Sequence, residues 1–243
     1  MARVAGIDTV GPLWVAAVRD GGATSWRVGD TAAVLALAET CDMVAIDIPI
    51  GFVATGPRAS EIEARAILGA QGRSIFPTPP AAAMAVGRRE GTTRASRELA
   101  QEESRRAGGA GISTQSWGIA GKILDVEDEL HRLPWTAATR VVETHPETAF
   151  RVMSTRPPTE IWPGKKTAAG VARRLAALAV DPAVLDDPVL AQVPIDDALD
   201  ALAAAWTAAR ILRDEALVLG GRDAHHAVWS GGGRAPGRAV IWV

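Results

Sequence analysis

Cysteine is nearly absent: Cys41 is the single one in 243 residues. No intramolecular disulfide and no cysteine-based zinc site can form, which suits a reducing compartment. No pair of histidines stands at the His-x-x-x-His spacing that also serves zinc. Long apolar runs are missing, since no stretch approaches the ~18 residues that span a bilayer, and MARVAGIDTV lacks a secretory apolar core. The expectation is a cytoplasmic protein with no membrane partner. Excess charge is missing too. At a formal net charge of −2, the chain as a whole does not attract a polyanion, so any nucleic-acid contact must be local. Repeats at solenoid periods and low-complexity linkers are also lacking.

What is present is 48% apolar content, enough to bury a substantial core, and one domain over 1–243 is the simplest organisation. Positive charge crowds the second quarter, from Arg58 to Arg106, interleaved with glutamates that would serve equally as i,i+4 partners on solvated helices. Strand-type runs at 2–8 and 12–18 flank the Gly11-Pro12 turn, with a third at 24–28. Asp30 or Thr31 then caps a helix to about Glu39, and MVAIDIP at 43–49 reads as a buried strand. Helical patterns follow at 58–69, 92–107 and 114–131, making a helical insertion at about 52–138. A strand ends at Glu143, helices begin after Pro146 and run over 165–180, and a long one follows Pro194. RAVIWV at 238–243 reads as a closing strand.

Three acids sit where apolar strands end: Asp8 in VAGID, Asp47 in VAID and Glu143 in VVET. A carboxylate among buried residues is costly unless paired, hydrogen-bonded or bound to a cation. In open α/β sheets ligands gather at such strand ends. On the last helix, Asp197 and Asp200 lie three apart and share a face, whereas Asp196 points aside. Singly, each strand-end acid also suits a turn or helix cap, and Asp196 is better read as a cap. Capping does not explain Asp200, inside an Ala/Leu-rich run. Oxygen-only ligands suit Mg²⁺ or Mn²⁺, and two ions held by shared carboxylates support in-line phosphodiester displacement.

VAGIDTVGPLWVAAV, VAIDIPIGF, STQSWGIAGKILDVED, VVETHPETAF and DDALDALAAAWTA together resemble domain of unknown function 429, a family of predicted RNase H-fold nucleases, over nearly the full length. The resemblance implies an RNase H-like α/β fold: a mixed five-stranded sheet, its first three strands antiparallel, with flanking helices. It also implies metal ligands Asp8, Asp47, Asp197 and Asp200, and the D-A-L-D-A-L-A spacing is similar to the final helix of Holliday-junction resolvases. Ser60-Glu61 stands where the family has Cys-Asp, so no chemical requirement attaches to residue 60.

The expected activity is a metal-dependent nuclease acting on DNA or RNA, with Asp8, Asp47, Glu143, Asp197 and Asp200 as its acids. Arg65, Arg73, Lys122 and His145 are candidate substrate contacts: the arginines as bidentate phosphate ligands, His145 as a proton carrier. Surface solvation or packing is the competing reading for each. Two rival functions stay open, a non-catalytic nucleic-acid-binding or adaptor protein and a nucleotide phosphotransferase. The second lacks a Gly-rich phosphate loop. Oligomeric state is unspecified, and a homodimer stays open.

Overall fold

The computed structural model describes residues 2–109, 111–154, 159–235 and 237–243. It opens with β1 (Val4–Val10), β2 (Leu13–Asp20) and β3 (Ala23–Gly29). Asp30 caps α1 (Thr31–Leu35) by accepting from the Ala33 N–H at 2.9 Å. The rest of the expected helix, Ala36–Glu39, tightens into a 3₁₀ turn. β4 (Met43–Ile46) is shorter than the span 43–49, because Asp47 and Ile48 already bend away toward Pro49.

Helices fill the stretch that follows: α2 (Ala59–Leu68), α3 (Ala81–Glu90), α4 (Arg94–Arg106), α5 (Thr114–Gly118), α6 (Ala120–Arg132) and α7 (Trp135–Ala138). α3 is not among the helices expected from sequence; it starts directly after Pro80 and carries Gly87 inside it, which obscures its period. The expected helix at 114–131 is two, broken at Ile119 after Gly118. Then come β5 (Val141–Glu143), α8 (Pro146–Met153), α9 (Ala168–Leu178), α10 (Ile195–Ile211), β6 (Val218–Leu219) and β7 (Ile241–Trp242).

Five strands form one mixed sheet in the order β3-β2-β1-β4-β5. The first three pair antiparallel, while β1–β4 and β4–β5 run parallel. Helices flank both faces. Ala5, Ile7, Val44, Ile46 and Val141 pack beneath α1, α3, α6 and α7. On the other face Val15 and Ala17 pack with α8, α9 and α10, and Val4 and Ala45 meet Ala204 and Ala208 of α10.

That second contact is unusually close. A Cβ on Gly6 would stand 2.0 Å from the Ala205 nitrogen and 2.1 Å from the Ala201 carbonyl oxygen. Only a missing side chain on β1, set against an alanine-rich helix face, permits the approach. β6 and β7 pair separately, and the β7 carbonyl of Trp242 accepts from the Thr144 hydroxyl at 2.8 Å. Among the described residues no helix is long and apolar enough to cross a membrane.

Candidate functional site

Period-two alternation along the strands decides which acids meet. Val4, Gly6 and Asp8 share the α10 face of β1, and Ala45 leads to Asp47 on the same side. The Asp47 N–H extends the parallel ladder by donating to the Ile7 carbonyl at 2.9 Å, which sets Asp47 beside Asp8. On and just after β5 the α10 face belongs to Val142 and to Thr144, whose hydroxyl oxygen lies 3.4 Å from that of Thr207 of α10. Glu143, paired in register with Ile46, therefore faces the other way.

α10 supplies the third member of the group. Pressed onto β1, it carries Asp200, 2% exposed, to the end of that strand, where Asp8 is 5% exposed. Their protonation reports the crowding. Burial, then the charges of Asp47 and Asp200, push Asp8 well above the carboxylate range. Burial and Asp200 do the same to Asp47, and burial lifts Asp200 to about 6. Opposing this, the Thr9 N–H donates to Asp8 Oδ1 at 2.7 Å.

Lys165 stands among these acids. Its ammonium donates to Asp200 Oδ2 at 2.7 Å and lies 3.5 Å from Asp196 Oδ2. Burial alone would lower its pKa, yet Asp200, Asp8 and Asp196 together outweigh burial and leave it raised. Asp200 Oδ1 is buried with no hydrogen-bond partner. Oxygen donors and an orphaned buried acceptor fit a hard divalent cation chemically. In the arrangement present, among the described residues, no group of three or more His, Cys, Asp or Glu is gathered closely enough to hold an ion. Holding one requires the acids to close in, with Asp200 Oδ1 the oxygen left open beside the Lys165 contact.

Glu143 accepts from Arg58 through both oxygens, at 2.9 and 2.6 Å, and from the Ile50 N–H at 2.7 Å. This buried pair is a structural clamp facing away from α10, although Glu143 still lines the cleft below. Asp197 is half-buried, its pKa raised by burial and by Asp196. Asp196 makes no capping bond; it is buried and faces Lys165. Arg65 is committed to the Ile75 carbonyl, at 2.7 Å from its closer nitrogen. Lys122 donates to the Leu13 carbonyl at 2.7 Å and lies over the Trp14 ring. Arg73 is exposed.

His145 caps α8, its Nδ1 accepting from the Thr148 N–H. Burial and then Lys165 depress its pKa to about 4, so the ring is neutral with its proton on Nε2. Asp8, Asp47, Glu143 and His145 line a cleft of about 220 Å³ whose walls include Ile48, Ile75, Phe76, Ile119 and Ile241. Among the described residues no lysine or arginine lines it.

Sequence reasoning did not find Lys165, Arg58 or Arg174. Arg174 donates to both oxygens of Glu147, at 2.7 and 2.8 Å, beside the acids. Each is a basic residue in a helical or turn context, where a solvated surface role is the default; only long-range packing marks it out.

No curated protein and no solved structure matches the chain. A family profile described as "Protein of unknown function (DUF429)" matches residues 6–225. That span runs from within β1 past the end of α10 and takes in every acid of the candidate site, and the chain belongs to the DUF429 family.

Proposed function

We propose that the chain is a divalent-metal-dependent nuclease or phosphodiesterase on an RNase H-like fold. One observation carries the reading: Asp8 and Asp200, both buried, and Asp47, half-buried, come together from segments distant in sequence at the ends of parallel strands, where Asp47 and Asp200 raise the pKa of Asp8 and Asp200 raises that of Asp47. Such repulsion is the arrangement a hard cation relieves. The strand order, with three antiparallel strands followed by two parallel ones, supports the RNase H-like assignment.

Asp8, Asp47 and Asp200 would hold Mg²⁺ or Mn²⁺, with Asp197 at the margin. A bound ion there would supply an activated water and neutralise charge developing on the phosphoryl oxygens. The chain's own groups do the rest. The Thr9 N–H fixes the Asp8 carboxylate, Arg58 and Glu143 hold the far side of the cleft rigid, and neutral His145 presents a proton at Nε2. Isoleucines and Phe76 give the cleft apolar walls beside the acids.

Titrating Mg²⁺ and Mn²⁺ into the protein and its Asp8→Asn variant by calorimetry, alongside cleavage assays on single-stranded DNA, duplex DNA, RNA and four-way junctions, tests the reading. Metal-dependent cleavage of one substrate class and loss of metal binding in the variant are expected. Inactivity on all four, with the variant binding metal as the parent does, overturns it. A second reading, a non-catalytic nucleic-acid-binding protein, is favoured by the Lys165 ammonium already partnering Asp200. Binding that needs no metal, survives Asp8→Asn and falls steeply with salt would establish it instead.

A further inference from the structure

Behind β7 lies a cavity larger than the acidic cleft, about 650 Å³, within the range of small-molecule sites. It is bounded by the end of α6, by α7, by Val142 of edge strand β5 and by Trp229, Arg234, Gly237, Arg238 and Trp242. Adjacent residues of β7 separate the two spaces, Ile241 lining the acidic cleft and Trp242 this one.

Its walls are aromatic. Trp135, Trp229 and Trp242 contribute indoles, and the His131 ring meets Trp229 edge-on with centroids 4.8 Å apart. Trp135 is 74% exposed, a flat apolar surface left in water at the rim. Two guanidiniums share the space. Arg238 donates to the carbonyls of Ala138, at 2.8 Å, and Val141; Arg234 donates to the His225 carbonyl at 2.8 Å. Those partners are neutral, and among the described residues neither arginine has a carboxylate within ion-pair distance. Burial pushes Arg238 down to about 10, the mark of a cation lacking a close counter-charge.

We infer that this cavity binds a planar aromatic ring carrying one anionic group, with the indoles stacking the ring and Arg234 and Arg238 receiving the anion. A nucleoside monophosphate and an aromatic carboxylate are the two sources of that chemistry. None of the residues invoked belongs to the acidic centre, so the inference stands apart from the nuclease reading.

The test uses the full chain, with calorimetry and tryptophan fluorescence, and four probes: adenosine monophosphate, indole acetate, adenosine and inorganic phosphate. Saturable binding of either aromatic anion with Kd below about 1 mM is expected, with adenosine and phosphate at least about tenfold weaker. Which anion binds identifies the source. Trp135→Ala and Arg234→Gln change exposed side chains, so the variants fold, and each should weaken binding about tenfold with the melting temperature unmoved. No binding of either anion up to about 10 mM, or binding that neither variant weakens, overturns the inference.

Discussion

The Lys165 ammonium lies 2.7 Å from Asp200 Oδ2, joining two residues 35 apart in sequence across the mouth of the acidic centre. An internal cation thus offsets part of the repulsion among Asp8, Asp47 and Asp200. The Lys165 side chain is 38% exposed while that of Asp200 is buried, so solvent screens one end of the pair and not the other.

Removing that ammonium should be felt and should be replaceable. Lys165→Gln is expected to cost about 1–2 kcal/mol in chelator-treated protein, below the cost of breaking a fully buried pair because the lysine is partly solvated. Millimolar Mn²⁺ should restore the variant's melting temperature more than it raises the parent's. Equal shifts in the two proteins would show that no ion takes the place of the lysine.

The raised carboxylates set a pH dependence. A group such as Asp200, near 6 in the fold against about 4 when unfolded, binds protons more readily in the folded state. Its share of stability is therefore full below about 4 and is lost as the pH rises through about 6. Asp8 is shifted in the same direction. Asp8→Asn should accordingly stabilise the metal-free protein at pH 7, with the gain fading toward pH 4. Urea unfolding of parent and variant across that range measures it.

His145 acts with the opposite sign in an overlapping window. Its folded pKa near 4 lies below the unfolded value of about 6.5, so its contribution is present at neutral pH and falls away below about 6.5. Its imidazole signals should show no titration between pH 5.5 and 8 by NMR. A midpoint near 6.5 would contradict its burial against Thr148.

Much of this was legible in the chain. The hairpins of β1 to β3 follow from alternating apolar runs and the glycines between them. Asp8 and Asp47 stand out because charge is rare among buried strand residues, and Asp200 because it interrupts an Ala/Leu helix. Glu143 reads identically in sequence, yet its side chain faces the opposite side of the sheet; only the register with Ile46 reveals that. Lys165 and Arg58 carried no local signal, since their partners lie 35 and 85 residues away.

The Arg58–Glu143 clamp predicts strong non-additivity. Glu143→Gln or Arg58→Met alone should cost about 3–5 kcal/mol, each leaving a buried charge uncompensated, and the double variant should cost less than the sum. Denaturant unfolding of the four proteins completes the cycle, and additive losses would show that the pair is not coupled.

Gly6 should be intolerant of any side chain. Gly6→Ala pushes a methyl into the Ala201–Ala205 backbone, and a loss of about 3 kcal/mol is expected. Because α10 must lift to make room, Asp200 separates from Asp8. Any Mn²⁺ binding measured for the parent should fall in this variant more than in a control such as Leu99→Ala, on an exposed position of α4.

The orientation of Glu143 also proofreads strand alignment as the chain folds. A slip of one residue between β5 and β4 would turn Glu143 toward α10 and hand Thr144 to Arg58. A guanidinium 1% exposed would then be sealed in without its carboxylate, and a fourth acid would be thrust at Asp8, Asp47 and Asp200. Two short parallel strands with few ladder bonds of their own thereby acquire a single correct alignment, enforced by electrostatics on both faces of the sheet at once.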